Sequence, residues 1–420
     1  MARTLTPVDC YALINAIVEE ATGQQSTLQA VDTSSFVSVG ETILRTGTEN
    51  TLNAISIVLG RTFMAVRPYE AKLRLINALN TGLYTDRMRK ISFYSRKAQA
   101  SGFFNTNLYK NHAMGYDNGT NGGNSLATMW QQNQPVPLEM NFGGSSVWDD
   151  STTAYEAQLQ KAFRNESEFA KFMGGIMTEK GNDIESEKEA FNRATFLNFA
   201  AGIYDLDQIL NTGSAFDLAA GFNAKYGTTY TRAQLLYDHK TEFLEYFIST
   251  VKYISDTLTN RSAKYHWSPA KQIDGVDYVL LRHTPKDRQK LVLNSQFVYD
   301  AEATVMPAIL NDQYLKLDNY EKLDFWQNEN LPTQLNITPA IPNPSDPTAQ
   351  IAGDPVVFDY LVGMLFDEDA MMVDYQLDSA YTTPVEARKG YRNIWWHFAK
   401  NAINDFTENA VLFYIGAGGE

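Results

Sequence analysis

Apolar residues recur at helical spacing through the first two thirds of the chain and at strand spacing near its end. Leu13, Ile14, Ile17 and Val18 predict a short helix around Tyr11–Ala21. Phe169, Phe172, Met173, Ile176 and Met177 fall at i, i+3, i+4, i+7 and i+8 behind Asn165 and Glu168, a pair spaced as a capping box. Asn182 and Glu185 have the same spacing and predict a second helix, through Phe191, Ala194 and Leu197 to about Tyr204. The first half of that helix is charged and the second half apolar nearly all round, so it should run from surface into core. Thr231 with Gln234 marks another start, and Phe243, Phe247, Val251, Ile254 and Leu258 form one face of a long helix. Val276–Leu281 and Leu291–Leu293 predict buried strands, followed by a short helix from Ser295. From Val356 onward the pattern predicts strands at Val356–Phe358, Leu361–Leu365, Met372–Leu377, Asn393–Phe398 and Ala410–Ile415. In the last of these Val411, Phe413 and Ile415 alternate as in a half-buried strand.

The segments between these elements set the domain order. Thr22–Glu49 is rich in Thr, Ser, Gln and Gly and predicts an extended arm with little core of its own, within an arm spanning 1–60. Residues 61–147 hold few core signals, a Gly/Asn-rich stretch at 115–124 and then Pro135-Val136-Pro137. This predicts a long excursion, an extended hairpin with an irregular tip, of the kind that is usually functional. Residues 331–355 carry six of the 14 prolines and predict an exposed connector. The fold class is α+β, with a body (148–204 and 351–420) split by a continuous inserted unit (205–350).

Composition bounds the function classes. The chain has 420 residues, is 44% hydrophobic and 20% charged, and holds 23 Tyr, 23 Phe and 6 Trp, the balance of a globular protein of two or three compact units. One cysteine, Cys10, excludes a disulfide framework within the chain and fits synthesis in a reducing cytoplasm. No run of some twenty apolar residues is present and the N-terminus lacks a secretion signal, so no membrane partner is expected.

The net charge of −14 argues against a nucleic-acid binder. Its distribution says more. Arg67, Lys72, Arg74, Arg87, Arg89, Lys90, Arg96, Lys97 and Lys110 face only Glu70 and Asp86 in the same segment, a surplus of seven that leaves −21 on the rest. An arm lying on the acidic surface of a neighbouring copy uses both halves of this asymmetry, so these nine residues are the candidate inter-subunit contacts. A nucleic-acid contact uses only one half.

Catalytic constellations are absent from the sequence pattern. There is no phosphate-cradling Gly-rich loop with Lys-Ser or Lys-Thr, no His-Glu-x-x-His and no Gly-x-Ser-x-Gly. His112, His239, His266, His283 and His397 are scattered, with no two closer than 17 positions, and read as structural. Asp367-Glu368-Asp369 reads as a helix cap with acids at the positive helix start rather than a metal site, because successive positions point to different faces. Asp149-Asp150 reads as a solvated turn, Asn118-Gly119-Thr120 as a chance glycosylation match, and Cys10 as a small core residue. No catalytic residue, metal or cofactor is expected.

A family resemblance sits near the C-terminus. Val362-Gly363-Met364-Leu365-Phe366-Asp367-Glu368-Asp369-Ala370 resembles the strand-then-Asp-Lys-Asp turn in capsid proteins of small tailed phages. Thr383-Pro384 through Gly390-Tyr391-Arg392-Asn393-Ile394-Trp395-Trp396-His397-Phe398 resembles the Arg-Asn-Pro…Gly-x-x-x-Asn-x-x-Tyr-Tyr-His stretch of the same proteins. Phe406-Thr407-Glu408-Asn409-Ala410-Val411-Leu412-Phe413 resembles their closing Phe-x-Asn-Ala-Val-Phe strand. The motifs keep the family's order and spacing across 362–413, and upstream the match is one of architecture. The sequence departs at Glu368, where a Lys is frequent, and no appended surface domain is expected.

The resemblance implies a podophage-like major capsid protein with the Hong Kong 97 fold. Residues 1–60 would be the N-arm, 61–147 the extended E-loop, 148–204 and 351–420 the peripheral domain with its spine helix, and 205–350 the axial domain. It further implies pentamers and hexamers of an icosahedral virion shell around packaged double-stranded DNA held without sequence specificity. A scaffolding protein and a portal would be partners. Neither a loop-lysine crosslink nor cleavage of an N-terminal pro-segment is expected. The rivals are an encapsulin-like nanocompartment shell, told apart by its enclosed cargo, a soluble two-domain α/β hydrolase or binding protein, and another virion component such as a portal or tail subunit.

Overall fold

The computed structural model describes residues 73, 76–79, 87–96, 135–144, 146–155, 166–269, 271–273, 276–302, 320–346 and 348–418, with scattered positions between 11 and 39. The described positions of 11–19 are helical, and Ile14 and Val18 are buried as their spacing predicts. Asn15 ties this turn to Ala30 by exchanging two hydrogen bonds with its backbone, at 2.7 and 3.1 Å.

The molecule is organised around one long helix, α1 (Glu166–Leu210), of 45 residues. At 1.5 Å per residue it spans about 68 Å. The expected break at Asn182 does not occur. Gly181 and Asn182 are weak helix formers, yet each costs only about 0.5–1 kcal/mol in a helix interior. Lys180, just before them, pairs forward with Asp183 at 3.5 Å and sideways with Asp150, which carries the helix through. The helix also runs past Tyr204 and ends at Asn211, whose left-handed φ of 53° turns the chain away.

The charged first half of α1 lies along a four-stranded sheet in the order β1 (Asn77–Leu79), β16 (Met371–Thr382), β17 (Tyr391–Asn404), β5 (Ser146–Tyr155). On β17, Arg392, Ile394, Trp396 and Phe398 are buried while the residues between them are half-buried, the period of two that a strand imposes. Lys180 lies over Trp396, and Lys400 pairs with Glu187 at 3.3 Å. Asp149 and Asp150 are not in a turn. They pair in β5 opposite His397 and Trp396, because β17 supplies a ladder for that whole stretch.

The apolar second half of α1 covers a five-stranded sheet in the order β10 (Tyr320–Leu323), β9 (Gln289–Asn294), β15 (Leu361–Asp367), β18 (Ala410–Tyr414), β6 (Ala215–Asp217). Val292, Met364, Phe366, Ala410 and Leu412 point to α1, against Phe196, Phe199, Ala200, Ile203 and Leu206. Leu291, Leu293, Val362, Leu365, Val411 and Phe413 point to the opposite face. There they meet α2 (Leu218–Tyr226), α3 (Arg232–Tyr237) and α4 (Lys240–Leu258), which contribute Phe222, Leu235, Phe243, Phe247 and Val251. α3 opens on the predicted Thr231–Gln234 capping box, and α5 (Ser295–Glu302) starts at the predicted Ser295.

β18 is therefore not half-buried. Its positions from Ala410 to Phe413 are all buried, because it is a central strand between two helical layers. Gly363 permits the tight strand pairing. A Cβ there would sit 2.1 Å from the Val292 carbonyl oxygen.

β15 and β18, beyond position 351, share one sheet with β6, β9 and β10, before it, and the C-terminal segment supplies the centre of this sheet. One further expectation is corrected: the Pro-rich stretch is not a free connector. β11 (Leu335–Ile337) pairs with β14 (Val356–Phe358), and β12 (Ala340–Pro342) with β13 (Gln350–Ala352). Leu335 and Ile341 are buried against α1, and Asn198 of α1 exchanges hydrogen bonds with the Ala340 backbone at 2.8 and 3.3 Å.

Candidate assembly surface

The excursion begins between the two edges of the four-stranded sheet, leaving after β1 and returning at β5. Its described root is a hairpin of β2 (Arg87–Phe93) and β4 (Pro137–Gly143), paired antiparallel from Arg87↔Gly143 to Phe93↔Pro137. β3 (Ser95–Arg96) then pairs with β8 (Val276–Val279), which is flanked by β7 (Lys271–Ile273). Strand alternation gives the hairpin two chemically distinct faces.

The inward face is locked: β2 turns Lys90 and Ser92 to it, and β4 turns Leu138, Met140 and Phe142. Lys90 donates to Asp405 and to Glu408 in the turn before β18. Arg282 pairs with Glu408 at 3.2 Å and donates to the Thr407 carbonyl at 3.0 Å and to Ser92 Oγ at 2.8 Å. Burial works against the Lys90 charge, but Asp405 and then Glu408 outweigh it, and its pKa lies above the ordinary lysine value. Burial dominates at Glu408, whose pKa is raised although Lys90 and Arg282 pull it down.

The outward face is open, and β2 carries two large apolar side chains on it. Ile91 and Phe93 are 51% and 59% exposed, beside the Arg89–Glu139 pair at 2.7 Å. β2 thus presents Ile91 and Phe93 to solvent, with Glu139 and Asn141 of β4 exposed beside them, while its Lys90 and Ser92 are spent inside. Exposed apolar stripes of this kind mark contact surfaces.

The sequence-predicted contacts divide accordingly. Arg67, Lys72, Arg74, Lys97 and Lys110 lie outside the described residues. Arg87 and Arg96 stand in β2 and β3, with only their backbone described. Arg89 is on the outward face. Lys90 is committed within the chain and is not available to a neighbour, because its parity in β2 turns it onto the 405–408 turn. Asp405, Glu408 and Arg282 were not singled out by the sequence. They lie far from Lys90 along the chain, and no local pattern links them.

The other chemistry-bearing residues are structural. Asp367 caps no helix. It ends β15, its Oδ1 accepts from the Asp369 N–H at 3.0 Å and its Oδ2 from Thr284 at 2.8 Å, and Arg288 pairs with each of the three acids of 367–369. His266 is buried with Nε2 3.0 Å from the Leu280 carbonyl and Nδ1 3.0 Å from the Lys264 carbonyl. Burial holds its pKa below the ordinary histidine value despite those carbonyls. His239 stacks on Tyr230 and sits 3.1 Å from Glu242. Cys10, His112 and Asn118 are outside the described residues, among which no group of three His, Cys, Asp or Glu is placed to hold a metal.

Residues 150–414, well over half of the chain, match the model of the Phi29-like phage major capsid protein family. The chain belongs to that family. It is a structural subunit of a phage head, it acts in an oligomeric shell, and its place is the virion. The mixed α/β architecture of this capsid subunit has the element order expected of the Hong Kong 97 fold: projecting hairpin, long helix, inserted α/β unit and closing strands. No curated protein matches it.

Several solved structures resemble the capsid subunit. A chain from the capsid of Staphylococcus phage Andhra is 12% identical with a TM-score of 0.46, covering 83% of this chain and 88% of that one. A chain in the structure of the head fiber and inner core protein gp22 of native bacteriophage P68 is 12% identical with a TM-score of 0.47, covering 81% and 83%. A chain from the capsid of Cyanophage P-SCSP1u is 10% identical with a TM-score of 0.41, covering 83% and 89%.

Proposed function

We propose that the subunit self-assembles into a closed icosahedral head around double-stranded DNA, and that its hairpin engages a neighbouring copy through the Ile91–Phe93 face. The observation that carries this reading is the two-faced hairpin. Its inward side chains, Lys90 among them, are fixed on its own body, and the apolar Ile91 and Phe93 are left to solvent. A hydrophobic stripe held in place in advance loses little ordering entropy on contact. Many such repeated contacts give shell stability by multivalency.

The remaining roles follow in the same reading. Residues 1–60 serve as the arm, and the excursion between β1 and β5 as the extended loop. The four-stranded sheet with the first half of α1 forms the peripheral unit. The five-stranded sheet with α2, α3 and α4 forms the axial unit, to which the C-terminal strands belong. The subunit has no catalytic role. It is made in the host cytoplasm and assembles with a scaffolding protein and a portal, and its net charge of −14 keeps packaged DNA from adhering to the wall.

The test is expression of the chain, alone and with a scaffolding protein, followed by sedimentation and negative-stain electron microscopy. Closed shells, or rings of five and six, are the expected product. A monodisperse monomer under every condition would overturn the reading.

A further inference from the structure

A cavity of about 730 Å³ opens between α4 and the chain following α1. Tyr246, Tyr253 and Phe216 line its apolar wall, and Lys225 and Lys264 stand at its rim. Tyr246 is buried, Tyr253 is 70% exposed, and both lysines are exposed. The Lys225 ammonium sits 5.3 Å from the Tyr246 ring centre. Neither ammonium has a carboxylate partner among the described residues.

The carboxylates adjoining the cavity are already used. Asp207 accepts from Thr212 and from the Gly213 and Ser214 N–H groups at 2.6–3.0 Å. Asp217 caps α2 and accepts from Gly416 at 3.0 Å. Two unneutralised cations on one concavity contrast with the charge balance of a chain whose net is −14.

The backbone around the cavity is also unusual. Asn211 and Tyr265 are the non-glycine residues with positive φ among the described residues, at 53° and 68°, and both line it. For a bulky residue such as tyrosine this conformation is costly, and residues held this way concentrate at binding and switching sites. The Tyr265 conformation is fixed from both sides, by its N–H to the Thr212 carbonyl at 3.2 Å and by its carbonyl to the Ala410 N–H at 2.9 Å. Gly213, at φ 75°, supplies a left-handed turn between Asn211 and Tyr265.

We infer that this cavity receives acidic side chains of a neighbouring copy of the subunit. The rim lysines would pair with the carboxylates and the tyrosine wall would cover their aliphatic stems. Amphipathic tyrosine surfaces suit such contacts. The acidic bulk of the chain makes a second copy the complementary partner, whereas DNA would have to approach a strongly negative body to reach two cations. The inference rests on the assembly reading above.

The test uses shells assembled from an equal mixture of nitrogen-15-labelled and unlabelled chains, treated with a water-soluble carbodiimide and analysed by mass spectrometry. This reagent joins an amine to a carboxylate only where the two touch. The expected result is Lys225 or Lys264 joined to an Asp or Glu of a differently labelled copy. A Lys225→Gln/Lys264→Gln double variant, checked for folding by circular dichroism, should lose those links and give several-fold fewer shells than the parent at low salt, the difference narrowing as salt screens the parent's pairs. If other lysines couple between copies but these two do not, or if the variant keeps the parent's salt profile, the inference falls. Protection of the two amines from acetylation only in DNA-filled particles would assign the cavity to nucleic acid instead. If the parent chain forms no assembly at all, the assembly reading fails, and this inference fails with it.

Discussion

At the scale of single residues, Lys90 carries the most structural weight in the hairpin. It joins a strand that leaves the body to Asp405, whose side chain is 2% exposed, and to Glu408 at 10%. Removing the cation from such a cluster costs more than the pair contributes, because the acids stay buried. With Lys90 itself 25% exposed, Lys90→Met should destabilise the subunit by about 2–3 kcal/mol. Glu408→Gln in the Lys90→Met background should recover part of that loss, read from urea unfolding in a double-mutant cycle. Additive losses would mean that the two residues are not coupled.

His266 makes a pH prediction at the same scale. Its folded pKa lies below the ordinary 6.5, so between those values the unfolded chain binds more protons than the folded one. Its contribution to stability is present above pH 6.5 and is lost as pH falls through the lowered folded value. The groups facing it are the Lys264 and Leu280 carbonyls, Asn409 and Arg282, none of which titrates in that range. His266→Gln should flatten the thermal stability profile below pH 6.5, and an unchanged slope would assign the acid sensitivity to other groups.

At the scale of elements, α1 supports two opposite outcomes for one substitution. Gly175 is exposed, and a Cβ there meets nothing within 4 Å, so Gly175→Ala should stabilise by about 0.5–1 kcal/mol. At Gly202 a Cβ would lie 2.6 Å from the Phe406 ring and 3.1 Å from Ile341, so Gly202→Ala should cost about 1–3 kcal/mol. Unfolding midpoints of the two variants settle both signs. The same helix shows what could be read from the sequence. Its apolar half, from Phe191 to Tyr204, was legible because burial against the five-stranded sheet and against β11 and β12 leaves it apolar nearly all round. Its continuity through Gly181 and Asn182 was not, because that depends on Lys180 reaching Asp150 on a separate strand. The outlines of β15, β17 and β18 were legible from their apolar runs, whereas their sharing of a sheet with β6 and β9 is a long-range pairing with no local trace. For the hairpin, the basic residues were visible but their parity was not. Which of Arg89 and Lys90 faces out depends on pairing with residues 137–143 and on the turn at 405–408.

At the scale of the whole molecule, that parity decides how a folded subunit becomes part of a shell. Ile91 and Phe93 contribute little to the fold, being more than half exposed, so Ile91→Asp/Phe93→Asp should leave the subunit's free energy of unfolding in urea within about 0.5 kcal/mol of the parent. Assembly is another matter. Covering an apolar side chain of this size is worth about 1.5–3 kcal/mol, and two charges in its place would have to be desolvated against a neighbour. Because each copy repeats the contact, even a part of that loss is multiplied across the shell. The expected outcome in sedimentation velocity is a folded, monodisperse subunit that no longer forms shells under conditions where the parent does. Shell yield equal to the parent's would move the subunit contact off this face, leaving the hairpin's inward ion cluster as a device for stability alone. Loss of folding together with assembly would show that the stripe is covered within the subunit itself. A loss confined to assembly is therefore the result that ties the alternation of a seven-residue strand to the construction of a phage head.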